Sequence, residues 1–300
     1  MFKAVGALMT LFVGITVYGV PFPSQAINQT FSEPTQVIRD NSNILMLTQR
    51  KTGNKKKGGQ NNTGKRVAKW PYSFYEAKGL FATGLKPVFP DGVDCPPISS
   101  PYGSKTRYDG SQRNNSHHNY HNGMDISLKP GTPLLAVADG TVIHKGTGGQ
   151  LVGDFIWLHL PPGSTGLSMH IFARYQHLDE PSAMKVGDTV KAGDIVALGG
   201  ATGTTGGHFG SSGYSHLHLT FTTGPSGEFE VEPNIPRVKH AVMNYFDPMG
   251  LYLNKTIEAL TNHALRDLPS EKKQVPVPVI LTGGEIIPNE SKIVWPLACD

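Results

Sequence analysis

Two short stretches carry side chains suited to holding a metal ion. The first, Tyr214-Ser215-His216-Leu217-His218-Leu219-Thr220-Phe221, places two histidines two residues apart in a run of strand formers. Side chains alternate across a strand, so His216 and His218 point the same way, together with Tyr214, Thr220 and Thr222. Leu217, Leu219 and Phe221 take the other face, which reads as core. The second stretch is Ser116-His117-His118-Asn119-Tyr120-His121-Asn122-Gly123-Met124-Asp125. Asn122-Gly123 argues against a helix and for a turn, and a turn still lets His121 and Asp125 converge. Imidazole and carboxylate are both zinc ligands, and a catalytic zinc takes three protein ligands and leaves a fourth position open. His121, Asp125 and one of the 216/218 pair make three. The other histidine of the pair then sits just off the metal, where a base or an oxyanion stabiliser is useful. Arg174-Tyr175-Gln176-His177-Leu178 offers one more imidazole, His177, at a strand end.

Other readings of the same residues are weaker. His117 and His121 are four apart, but no Glu follows His117 and no helix surrounds it, so the HExxH pattern is absent. His144, His159 and His170 lie in strand-like text without a matching partner, and His208 lies in a glycine loop. The Gly-rich run 199–213 contains neither GxGxxG nor a GK[ST] ending, which removes phosphate binding. Ala183-Met184-Lys185-Val186 and the turns after it look a little like a biotinyl or lipoyl hairpin, a module with no use for a His/Asp/His set. Tyr120, Tyr175 and Tyr214 flank the motifs, where substrate contact and aromatic packing explain them equally well.

The elements that must position these groups are short strands. Gly (35) and Pro (23) are abundant, which favours a loop-rich β protein over a helical bundle. From Pro90, strand-like runs alternate with glycine turns, and no segment up to residue 225 shows a helical period. Asp139-Gly140 stands between two apolar runs and predicts a hairpin turn. Residues 251–266 predict a modest helix, and the proline-rich tail after it predicts extended, edge-type structure wrapping the domain. The expected fold is all-β, a two-sheet antiparallel core with an irregular N-terminal region and a short C-terminal helix and tail.

Upstream, Lys3, the apolar stretch 4–20 and Ser24-Gln25-Ala26 compose an expected cleaved signal peptide over residues 1–26. Residues 27–69 read as a basic disordered linker or propeptide, with eight cationic residues and no acid between Arg50 and Lys69. Residues 70–95 form a lead-in, 96–250 the main domain and 251–300 the C-terminal helix and tail. Two cysteines, Cys95 and Cys299, in a chain expected to be exported suggest a disulfide, although nothing in the sequence brings them together. Export also argues against nucleic acid as the partner of the basic stretch.

His121-Asn122-Gly123-Met124-Asp125, Tyr175-Gln176-His177-Leu178 and His216-Leu217-His218 occur in order and at fitting distances. Together they resemble the LytM/lysostaphin-type zinc endopeptidases, the M23 peptidases that cut peptide bonds in bacterial peptidoglycan. SPYGSK (100–105), GTPLLAVADGTV (131–142) and KVGDTVKAGDIVALGGATG (185–203) are similar to the family's surrounding strands and turns. The resemblance covers roughly residues 96–250. It implies Zn²⁺ held by His121, Asp125 and His218, with His177 and His216 as catalytic histidines that do not bind the metal. It further implies peptidoglycan peptide stems or cross-bridges as partners, a periplasmic or secreted monomer, and no membrane span after signal cleavage. A catalytically silent LytM-like activator of another wall hydrolase is the alternative. The segment 146–170 and the loop 203–215 are longer than in typical members.

Overall fold

The computed structural model describes residues 70–114, 117–204, 214–232, 237–239, 243–253 and 261–300. The expected signal peptide, the basic linker, His208 and most of the glycine-rich loop lie outside the described residues. The described part opens with a short helix α1 (Tyr72–Ala77), then strands β1 (Lys86–Val88), β2 (Ile98–Ser100), β3 (Met124–Ser127) and β4 (Thr132–Leu135). Next come β5 (Gly140–Thr147), β6 (Asp154–Leu160), β7 (His170–Gln176), β8 (Thr189–Val190), β9 (Ile195–Gly199) and β10 (His216–Gly224). The remainder is β11 (Glu230–Val231), β12 (Val238–Lys239), β13 (Asn244–Phe246), helix α2 (Asn262–Arg266), β14 (Gln274–Pro276), β15 (Val279–Ile280) and β16 (Ile286–Ile287).

One antiparallel sheet dominates, in the order β2-β3-β10-β7-β6-β5-β8, with β13 also paired to β10. A second antiparallel pair, β4 with β9, carries Leu134, Val196 and Ala197 into a shared core with Leu217, Leu219, Phe221, Ile126 and Ile156. The alternation expected for β10 therefore holds, with Leu217, Leu219 and Phe221 fully buried. Tyr175 pins the two layers together: its hydroxyl donates to the Leu135 carbonyl at 3.1 Å and accepts the Val137 N–H at 3.1 Å. Of the two roles open to this tyrosine, packing is the one the fold uses.

Two expectations need correction. Asp139-Gly140 is not a hairpin turn, because β4 pairs with β9 whereas β5 pairs with β6 and β8. The chain changes sheets there. Asp139 turns away to accept the Ala192 N–H at 2.9 Å, so the Asp-Gly signal serves a corner between layers. Residues 251–266 are not one helix. Pro248–Tyr252 is a 3₁₀ turn capped by Asp247, residues 254–260 lie outside the described set, and α2 begins after its Thr261 cap. Caps inside the segment interrupt what an apolar pattern reads as continuous.

The C-terminal tail runs back along the domain. β14 pairs with β1 in parallel, and Trp295 and Leu297 are fully buried in the main core. Cys95 and Cys299 form a disulfide across a sequence separation of 204 residues. Asp94 and Asp300 exchange backbone hydrogen bonds beside it, at 2.8 and 2.9 Å. Cross-linking so distant a pair restricts the unfolded chain, an effect typically of about 2–5 kcal/mol. Cys95→Ala/Cys299→Ala is therefore expected to lose about 2–5 kcal/mol of stability, read as a lower urea midpoint under non-reducing conditions. An unchanged midpoint would show that the tail is held by packing alone.

Candidate metal centre and active site

The site is built on the central strand of the main sheet. β10 runs between β3 and β7, and His218 is directly opposite Asp125 on one side and Gln176 on the other. Residues directly opposite across an antiparallel pair share a face, so Asp125 and His218 are neighbours by register. His121 precedes β3 in the turn. There a Cβ on Gly123 would lie 2.6 Å from His218 Nε2, so the chain can pass His218 this closely only without a side chain. β7 ends at Gln176, which delivers His177 to the same end of the sheet.

The sequence-predicted residues meet as follows. His121 Nε2, Asp125 Oδ1 and His218 Nδ1 form a triangle with sides of 3.0, 3.0 and 2.8 Å. Ligand atoms bound at 2.0–2.1 Å around a tetrahedral zinc are about 3.3 Å apart, so the triangle needs to open by only about half an ångström. His216 Nε2 stands 3.6 Å from Asp125 Oδ1, outside the triangle. The His177 ring centroid is 4.6 Å from that of His216 and 6.0 Å from that of His218. All five side chains are buried. His117 packs edge-on against Tyr75, and His118 Nε2 meets the Trp70 carbonyl at 2.9 Å. His144 packs on Phe155, while His159 and His170 partner each other at 2.9 Å, a pairing that strand text alone does not reveal.

Surrounding groups set which nitrogen of each ring is bare. A backbone carbonyl can only accept, so His121 Nδ1, 3.0 Å from Pro101 O, carries the hydrogen and turns the lone pair of Nε2 inward. His218 Nε2 meets the Thr220 hydroxyl at 3.0 Å, a group able to accept its hydrogen while Nδ1 faces the triangle. Burial drives His121 down and takes His218 to about 3, so both are neutral at physiological pH. Burial opposes the charge on Asp125, but the adjoining His121 and His216 imidazoles hold its carboxyl well below the usual range. Two neutral imidazoles and one carboxylate, aimed at one point, are the protonation states that metal binding requires. The residues present fit a single divalent ion.

One group that sequence reading passed over, Arg113, and one that it noted beside the motif, Tyr214, complete the surroundings. Arg113 Nη2 donates to Asp125 Oδ2 at 3.0 Å and to Ser100 Oγ at 2.6 Å, which turns Asp125 Oδ1 toward the two histidines. Arg113 lies in a polar loop, where its type and spacing carry no signal. Tyr214 stacks on His216 with ring centroids 4.2 Å apart, and its carbonyl lies 3.1 Å from His216 Nδ1. His177 adopts φ +62°, a left-handed conformation unusual for a residue with a side chain and characteristic of functional sites.

A buried His–Asp–His set on one sheet face, with two further imidazoles at its edge, has the make-up of a single-metal site with an open position. Comparison with known proteins names the family. Residues 119–228 match the model of Peptidase family M23. An uncharacterized metalloprotease of Haemophilus influenzae is 32% identical over 124 residues, covering 41% of this chain and 22% of that protein. The glycyl-glycine endopeptidase ALE-1 of Staphylococcus capitis is 32% identical over 121 residues, covering 40% of this chain and 30% of that protein. The chain thus spans less than a third of the length of either relative. The catalytic domain of the antimicrobial peptidase lysostaphin from Staphylococcus simulans is 24% identical, covering 51% of this chain and 86% of that one, at a TM-score of 0.33. That score adds nothing to the sequence match.

The Arg113 contact gives a direct test. Groups that orient a metal's carboxylate ligand typically govern affinity by about 10–100-fold. Arg113→Met is expected to weaken zinc binding by about that factor, measured by competition with a chromophoric chelator. Unchanged affinity would mean that strand register alone orients Asp125.

Proposed function

We propose that this chain is a zinc metalloendopeptidase that hydrolyses peptide cross-links of bacterial peptidoglycan, acting in the periplasm or after secretion. The observation that carries the reading is the convergence of His121 Nε2, Asp125 Oδ1 and His218 Nδ1 within 2.8–3.0 Å, with His177 and His216 alongside. The family match supports a peptidase, and the name of the Staphylococcus capitis relative, a glycyl-glycine endopeptidase, supports a peptide substrate. The expected signal peptide supports export. Among the described residues, no helix is long and apolar enough to cross a membrane.

In this reading His121, Asp125 and His218 hold the ion. Zinc, when bound, supplies Lewis acidity toward a carbonyl oxygen and lowers the pKa of water to about 7. His177 and His216 provide what an ion cannot: a proton acceptor, and a donor to the negative charge and the leaving amine. Each has its Nδ1 against a backbone carbonyl, His177 at Thr202 O (2.8 Å) and His216 at Tyr214 O (3.1 Å). Each therefore turns Nε2 away from that carbonyl. Arg113 holds Asp125, and Leu217 and Leu219 anchor β10 in the core, so the imidazoles do not drift. Burial of all five groups limits competing water and strengthens each electrostatic contact.

The division of labour is testable. His218→Ala is expected to lose zinc and activity together, whereas His216→Ala keeps zinc and loses activity. Metal analysis of both purified variants, beside digestion of sacculi with and without chelator and mass spectrometry of the fragments, measures this. Equal zinc loss in both variants would sink the split. Absence of chelator-sensitive cleavage by the wild type would favour a non-catalytic role in activating another hydrolase.

A further inference from the structure

The loop 148–153, between β5 and β6, contributes no metal ligand, yet one backbone hydrogen bond joins it to His177 and others tie the chain on either side. The His177 N–H donates to Val152 O at 3.3 Å, and the Leu178 N–H donates to Asp154 O at 3.2 Å. The Leu151 N–H donates to Gly203 O at 2.7 Å. Between the loop and His177 lies Thr202. Its hydroxyl donates to Leu178 O at 2.6 Å and accepts the Asp154 N–H at 2.9 Å. Its carbonyl accepts from His177 Nδ1 at 2.8 Å. One residue thus grips the backbone after His177, the start of β6 and the His177 ring.

Two glycines let the loop close on Thr202. Gly153 (φ +64°) and Gly203 (φ +68°) are interlocked. A Cβ on Gly153 would lie 2.1 Å from Thr202 O, and one on Gly203 would lie 2.1 Å from Gly153 N. The atom that a side chain at 153 would strike is the carbonyl that holds the His177 ring. Behind the loop, the buried Asp154 carboxylate accepts from the Thr147 hydroxyl at 2.5 Å, which secures the base of the loop.

We infer that Thr202 and the Gly153–Gly203 interlock form a positioning clamp, in which the loop 148–153 presses the Thr202 carbonyl onto His177 Nδ1 and so fixes the ring's tautomer and aim. Thr202 is a positioning residue: it touches His177, not the ion or the reacting atoms. The inference deepens the peptidase reading and rests on it for its kinetic consequence. It does not rest on it for the state of the ring.

The test uses the full-length chain loaded with zinc. Thr202→Val keeps the β-branched shape and removes the hydroxyl, Thr202→Ser keeps the hydroxyl, and Gly153→Ala drives a methyl into the carbonyl. Long-range ¹H–¹⁵N spectra of the histidine rings report whether His177 holds its hydrogen on Nδ1. In Thr202→Val and Gly153→Ala the Nδ1–H tautomer is expected to lose its dominance, with zinc content unchanged. On peptidoglycan fragments kcat is expected to fall by about 10–100-fold, as misplacement of a catalytic group does, while KM stays within about threefold and Thr202→Ser recovers most of kcat. If Gly153→Ala does not fold, the Thr202 pair carries the test. An unaltered tautomer in Thr202→Val, or a fall in kcat that only tracks lost zinc, overturns the clamp. A shifted tautomer in a protein whose wild type cleaves nothing supports the clamp and overturns the peptidase reading.

Discussion

The antiparallel register of β10 between β3 and β7 is the constraint on which the rest depends. It places His218 opposite Asp125 on one side and Gln176, the neighbour of His177, on the other. A slip of one residue would turn both imidazoles into the core and Leu217 and Leu219 into the site, since the side-chain period is two. Leu217, Leu219 and Phe221 resist that slip because all three are fully buried against Ile126, Ile156 and the β4–β9 layer. The apolar face of the strand thus holds the polar face in place.

A buried set of polar groups is costly unless each is paired. Here the pairing also does chemistry. Pro101, Tyr214 and Thr202 each present a carbonyl to the Nδ1 of one histidine, and Arg113 engages the outer oxygen of Asp125. The groups that satisfy the outer atoms leave the inner ones convergent. All four of these partners lie in loops, which ride on the sheet and take their positions from it.

Much of the site was legible because its logic is local. The spacing of His216 and His218 assigns both to one strand face, and Asn122-Gly123 announces the turn that brings His121 near Asp125. The core face of β10 and the antiparallel all-β class follow from the same alternation. Other features were not legible. Asp139-Gly140 carries a hairpin signal but serves a corner between sheets, because which strands pair depends on partners far along the chain. Arg113 and Thr202 look like ordinary loop residues, and their importance arises from contacts 12 and 25 residues away.

By itself the sequence determined which side chains can meet: two imidazoles on one face, a His and an Asp across a turn, and a histidine at the end of another strand. Period-two alternation and turn chemistry are properties of neighbouring residues, and they survive in any fold that forms those strands. Only the tertiary structure decided that Asp125 lies beside His218, with His216 outside the triangle. It also decided that Cys95 closes on Cys299, and that a glycine interlock sets the ring of His177. Each of these depends on strand register or on backbone contact between distant segments, which no local pattern specifies.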